Sequence, residues 1–113
     1  MDINVIVEPE DASKRGWIMH YFRWDGPSGP KPQINPMSFV KKGDQYVATL
    51  PLQVGKNYCL VTHLTLGVTL KIDLDPQCRI TQPDGASWPI SLEIPGDQTQ
   101  LSDFTYFDAG VEP

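Results

Sequence analysis

The sequence predicts an all-β protein: a two-sheet antiparallel β-sandwich of immunoglobulin-like or related Greek-key order, with about seven to nine strands and at most one short helical turn. Three observations carry this. Val, Ile and Thr occur 23 times and Ala only four, so β-branched residues outweigh the best helix former. Eleven prolines leave residues 52–75 as the only long Pro-free segment, which gives long helices almost nowhere to sit. Short runs rich in β-branched and aromatic residues recur between turn signals at close spacing, the pattern of a sandwich or barrel and not of βαβ units. A small closed barrel is the alternative architecture.

Taken in order, residues 2–8 (DINVIVE) alternate and stop at Pro9. Pro9 to Arg15 is the one segment with helical signals, with Pro in the first turn, acids early, Lys14 and Arg15 late and Gly16 beyond. Residues 16–24 (GWIMHYFRW) form a long aromatic strand, which breaks into the Pro-rich loop 25–36 (DGPSGPKPQINP). Residues 37–42 and 45–52 read as a β-hairpin through Gly43-Asp44, and Pro51 belongs at an edge or bulge.

Residues 57–66 (NYCLVTHLTL) follow. In 68–74, Val68, Leu70, Ile72 and Leu74 share one face and Thr69, Lys71 and Asp73 the other, so one side is core and the other wet. Residues 78–81 form a short strand, and 88–94 place Trp88, Ile90, Leu92 and Ile94 together. Residues 101–107 (LSDFTYF) also fit a helical spacing, but Thr105-Tyr106-Phe107 favours strand.

Composition bounds the rest. Val, Ile, Leu and Phe supply 29 of 113 residues, above the ~20% below which chains stay disordered, and the length suits a single domain over 1–113. The net charge of −5 and the lack of a basic stripe point away from nucleic acid. No run approaches the ~18 apolar residues of a membrane span, and the acidic start MDINVIVEPED lacks the pattern of a signal peptide. Cys59 and Cys78 leave the redox state open: they could bridge two strands or stay reduced.

For chemistry, His20 and His63 both fall within strand-like runs and no nucleophile elbow is present, so no acid, base and nucleophile set can be named and an enzyme is not expected. Zinc is not expected either. His20, Cys59, His63 and Cys78 are scattered, and the i, i+4 spacing of Cys59 and His63 on a strand is about 13 Å, too far for one ion. Calcium is the one cofactor left open, because Asp25, Asp44, Asp75, Asp84, Asp97, Asp103 and Asp108 lie at loops or strand ends, although Asp also favours turns for its own backbone hydrogen bonding.

The aromatic strand is the main functional signal. Alternation puts Trp17, Met19, Tyr21 and Arg23 on one face and Ile18, His20, Phe22 and Trp24 on the other, so large rings stand on both. Either the strand is packed on both sides, or one side presents rings to a ligand. Rings beside Arg and Asp suit the faces and hydroxyls of a sugar, and Trp, Tyr and Arg are also the residue types of protein hot spots. The sequence therefore predicts a non-catalytic recognition module for a glycan or protein partner. Its site would be Trp17, Tyr21, Arg23, Trp24 and Asp25, with the stiff Pro-rich loop adjoining. The alternative is a structural or assembly component, of phage, pilus or secretion-system type, that self-associates through strand edges.

Overall fold

The computed structural model describes residues 2–11, 13, 16–65, 67–75 and 77–110. They form ten strands: β1 (Asp2–Pro9), β2 (Trp17–Arg23), β3 (Asn35–Pro36), β4 (Val40–Lys42), β5 (Gln45–Pro51), β6 (Asn57–Thr65), β7 (Thr69–Leu74), β8 (Cys78–Gln82), β9 (Ile90–Glu93) and β10 (Gln100–Ala109). Two five-stranded antiparallel sheets result. Sheet A runs β4-β5-β1-β7-β9 and sheet B runs β3-β2-β6-β10-β8.

Alternation decides what each sheet buries. In sheet A, Ile3, Val5 and Val7 of β1, Tyr46 and Leu50 of β5, and Leu70, Ile72 and Leu74 of β7 point inward. They meet Met19 of β2, Tyr58, Leu60 and Leu64 of β6, and Phe107 and Ala109 of β10. Trp88, Ile90, Leu92 and Ile94 close one flank as half-buried side chains, in the grouping that their alternation predicts. Gly43 has φ +64° at the first position of the two-residue β4–β5 turn, a conformation that glycine adopts without a Cβ clash and that matches the twist of a hairpin.

The differences from the sequence reading are local. A tenth strand, β3, is made by the last two residues of the Pro-rich loop, which pair with His20 and Tyr21 of β2. No helix forms among the described residues. Pro9, expected to open a helical turn, instead ends β1 opposite Leu70, and the Asp11 carboxylate accepts hydrogen bonds from the Ser13 amide and hydroxyl. A side chain that satisfies nearby donors in this way offers the backbone a turn in place of a helix. Residues 12, 14 and 15, the rest of that segment, lie outside the described residues. Pro51 pairs with Asp2 on one side, while β4 reaches only Gln45 to Val47 on the other, so its missing N–H falls where no strand asks for it.

Phe107 is the largest fully buried side chain, at 0% exposure, and its ring lies 6.0 Å from both Tyr58 and Trp88. Trp88 is fixed in turn by its indole N–H, which donates to the Cys78 carbonyl at 2.7 Å. Phe107→Ala is expected to cost about 3–5 kcal/mol in urea unfolding, the range for aromatic truncation in a core, and Phe107→Leu distinctly less. Equal losses from the two would show that the ring contacts, and not the volume filled, carry the stabilisation.

Candidate functional site

The two faces of β2 resolve as follows. Trp17, Met19 and Tyr21 point inward: Met19 is buried, and Trp17 and Tyr21 pack against the core. Trp17 meets Phe39 at 5.1 Å and Tyr46 at 5.3 Å, both edge-on, and Tyr21 lies 6.3 Å from Tyr58. The expected platform of Trp17 and Tyr21 is therefore core wall. Its two polar members sit at the strand end, where Arg23 Nε pairs with Asp25 at 3.1 Å and Arg23 also donates to Gln53 at 3.1 Å. An exposed pair of this kind contributes at most about 1 kcal/mol. Of the five expected site residues only Trp24 lies on the outer face of sheet B.

The strand registers build that outer face in rows. Ile18, His63 and Ser102 form one, His20, Val61 and Phe104 the next, and Phe22, Cys59 and Tyr106 a third. Trp24 follows, its ring edge-on to Tyr106 at 5.0 Å. Val61 and Cys59 are buried at 2% and 0% exposure although they point away from the core, whereas Ile18 and Phe104 are 64% and 51% exposed. Ile34, at the end of the Pro-rich loop beside β3, is 61% exposed. These three rows contain no Lys, Arg, Asp or Glu. Sheet A turns out Asp2, Asn4, Glu8, Lys71 and Asp73 around one apolar row of Val40, Val47 and Ile6, with Thr49 donating to Asn4 at 2.9 Å and Gln45 to Glu8 at 3.4 Å.

Two polar features lie within the apolar rows. His20 and His63 lie with ring centroids 5.1 Å apart and planes tilted by 37°, and His63 Nδ1 shares a 2.8 Å hydrogen bond with the Ser102 hydroxyl. This contact joins residues 39 apart and becomes visible only once the β6–β10 register is known. A serine beside a histidine is part of a nucleophilic triad, but the ring that follows here is another imidazole and not the carboxylate that would orient a base. Burial, and then the neighbouring His63, lower the His20 pKa below its ordinary value of 6.5.

Cys59 faces out from β6 and Cys78 faces in from β8, with β10 between them, and both are free thiols. Burial raises each thiol pKa to about 11. No group of three or more His, Cys, Asp or Glu converges among the described residues in a way that could hold an ion. Of the aspartates considered for calcium, Asp75 accepts the Gln77 amide, Asp103 the Thr105 hydroxyl and Asp25 the Arg23 guanidinium. No helix among the described residues is long and apolar enough to cross a membrane.

Beside the outer face, where β3 covers only part of β2, a cleft of about 520 Å³ opens between the sheets. Trp17 and Met19 of β2, Tyr46 of β5, and Met37 and Phe39 of the β3–β4 loop form its walls, and Ile18, His20, Ile34 and Pro36 form the rim shared with the outer face. No family model, curated protein or solved structure matches the chain.

Two measurements test this geometry. A thiol with a pKa near 11 is almost wholly protonated at neutral pH, so neither cysteine should react with a thiol reagent in the native protein, and both should react in urea. Fast labelling of the native protein would contradict the burial. A histidine pKa lowered on folding means that the unfolded chain binds more protons below pH 6.5, so stability is full above that pH and falls as pH drops beneath it. The melting temperature of His20→Gln should therefore fall less between about pH 7 and pH 5 than that of the wild type. An identical fall in both proteins would remove His20 as a cause.

Proposed function

We propose that the chain is a non-catalytic recognition module that binds a protein partner through the outer face of sheet B. The observation that carries this reading is the run of three outer rows without Lys, Arg, Asp or Glu, bounded by Asp108 and Arg79 in the next row, on which Ile18 and Phe104, with Ile34 at the border, expose more than half of their surface. Contiguous apolar surface of this kind marks interaction sites, and aromatic anchors free of charged neighbours are the composition of an interface centre. A sugar platform would be expected to ring its aromatics with free polar side chains. Here the aliphatic Ile18 and Ile34 and the ring of Phe104 dominate, and His63 already engages Ser102. That balance favours a protein over a glycan.

A second reading, self-association through a strand edge, draws on one feature. β8 pairs with β10 only at Tyr106 to Ala109, so no described strand pairs with residues 100–105 on that side. Against it, Asp103 lies on the inward side of this edge, and the outermost strands β3, β4, β9 and β8 are two, three, four and five residues long and carry Pro36, Lys41 with Lys42, Glu93 and Arg79 in turn. Inward charges, proline, lysine and short length are the devices that discourage edge pairing.

Ile18→Glu and Phe104→Glu test the face directly. Both positions are exposed, so each variant should melt within a few degrees of the wild type while losing at least tenfold in affinity for a partner recovered by affinity capture, or for a second copy measured by sedimentation. If both variants retain full binding, the face is not the interface, and the open edge of β10 takes its place.

A further inference from the structure

In the β2–β6 register His20 faces Val61 and His63 faces Ile18, so the two histidines stand diagonally on adjacent strands of the outer face. They lie far apart in the chain, and no ligand spacing in the sequence announces them. Their ring centroids are 5.1 Å apart, with planes tilted by 37°. Two imidazoles that share one tetrahedral ion, with metal–nitrogen bonds of about 2.0–2.1 Å, hold their centroids about 5 Å apart and need not be parallel. The observed separation is the one that a shared ion requires. The ladders that join β6 to β2 and β10 hold both backbones in place, so an ion has little left to order.

The hydrogen bonding also suits a metal. His63 Nδ1 meets the Ser102 hydroxyl at 2.8 Å, and when the ring donates this bond the lone pair stays on Nε2, the arrangement in which a second partner orients a ligating imidazole. The His20 ring makes no hydrogen bond among the described residues, so its nitrogens are not committed elsewhere. No third His, Cys, Asp or Glu joins the pair among the described residues, which leaves the other positions of the ion to water. The chemistry of the donors selects the ion. Calcium and magnesium need oxygen ligands, and none of the three rows offers a carboxylate, whereas imidazole suits zinc, copper and nickel.

We infer that His20 and His63 form a two-imidazole site for a divalent transition cation of the zinc and copper class, with Ser102 as the positioning residue of His63. The site goes beyond the proposed interface and needs no partner on the face.

The probe is Zn²⁺ alone, added to the full chain at about pH 7.5, where imidazole is mostly neutral. The chain has only two histidines, so their ring C–H resonances report the site directly. Both sets should move along one saturation curve at one ion per chain. Cu²⁺ should compete for the site, and Ca²⁺ should move neither ring. His20→Gln and His63→Gln should each weaken Zn²⁺ at the remaining histidine by at least about tenfold. Ser102→Ala should weaken it by a smaller factor, and Ser102→Thr, which keeps a hydroxyl, should restore it. Both histidines are half-buried, so the metal-free variants should melt within a few degrees of the wild type, which separates loss of a ligand from loss of the fold.

Three results would overturn the inference. The first is no saturable movement of either ring with the wild type. The second is two separate curves, or a single histidine variant in which the other ring keeps its full affinity, which would make the imidazoles independent. The third is half an ion per chain in step with dimer formation, which would place the ion between two copies and not within one.

Discussion

The burial of β6 on both faces is the constraint on which the rest of sheet B depends. Tyr58, Leu60 and Leu64 meet the core, while Cys59 and Val61 point the other way and are as well hidden. A strand can be apolar on both sides only if something removes each side from water. Sheet A turns out mostly polar side chains around the single apolar row of Val40, Val47 and Ile6, and needs less cover. In sheet B no third layer is present among the described residues, so the cover comes from large side chains on either side: His20 and Phe22 from β2 with Trp24 just beyond it, and Phe104 and Tyr106 from β10. This accounts for rings on both faces of β2, one set completing the core and the other shielding β6.

The cover exceeds what β6 requires. Trp24 and Tyr106 meet edge to face and are themselves half-buried, an arrangement that serves the fold by adding ring contact to area removed from water. Ile18 and Phe104 stand mostly in water, and Ile34 joins them from a loop that plays no part in shielding Val61 or Cys59. Part of the aromatic layer is thus structural, and the surplus at its margins is the part that the proposed interface uses. The two can be told apart by burial, which residue type alone does not reveal.

The same distinction explains what was legible in the sequence. In β7 and β9 the apolar and polar sets alternate with strong contrast, and the inward face followed at once from the pattern. In β2 alternation correctly grouped Trp17 with Tyr21 and Ile18 with Trp24, but could not say which group turns inward, because both carry rings. That choice is made by partners distant in the chain, Phe39 and Tyr46 for Trp17, and by the neighbouring strand β6, whose run NYCLVTHLT carries buried apolar side chains on both sides. Phe104 belongs to the outer face only through its register with Val61, and the His63–Ser102 contact likewise needs the β6–β10 pairing. Tyr46, whose buried hydroxyl has no hydrogen-bond partner among the described residues, left no trace of this in the sequence, since a tyrosine in a strand usually finds a partner when buried. The helical signals at Pro9 were real as local preferences, and lost to a ladder that carries β1 through Pro9 to meet Leu70.

β2 is also a shared wall. Its Trp17 and Met19 line the cleft, its even-numbered residues build the outer face, and Ile18, His20, Ile34 and Pro36 border both. β3, which holds this border, is two residues long and hangs on β2 through two paired positions, whereas β6 and β10 pair along nine. Thinly tied segments open at lower free energy than those in long ladders, so β3 and the loop before it give way before the rest of sheet B. A partner that rests on Ile18 and Ile34 would stiffen the same segment.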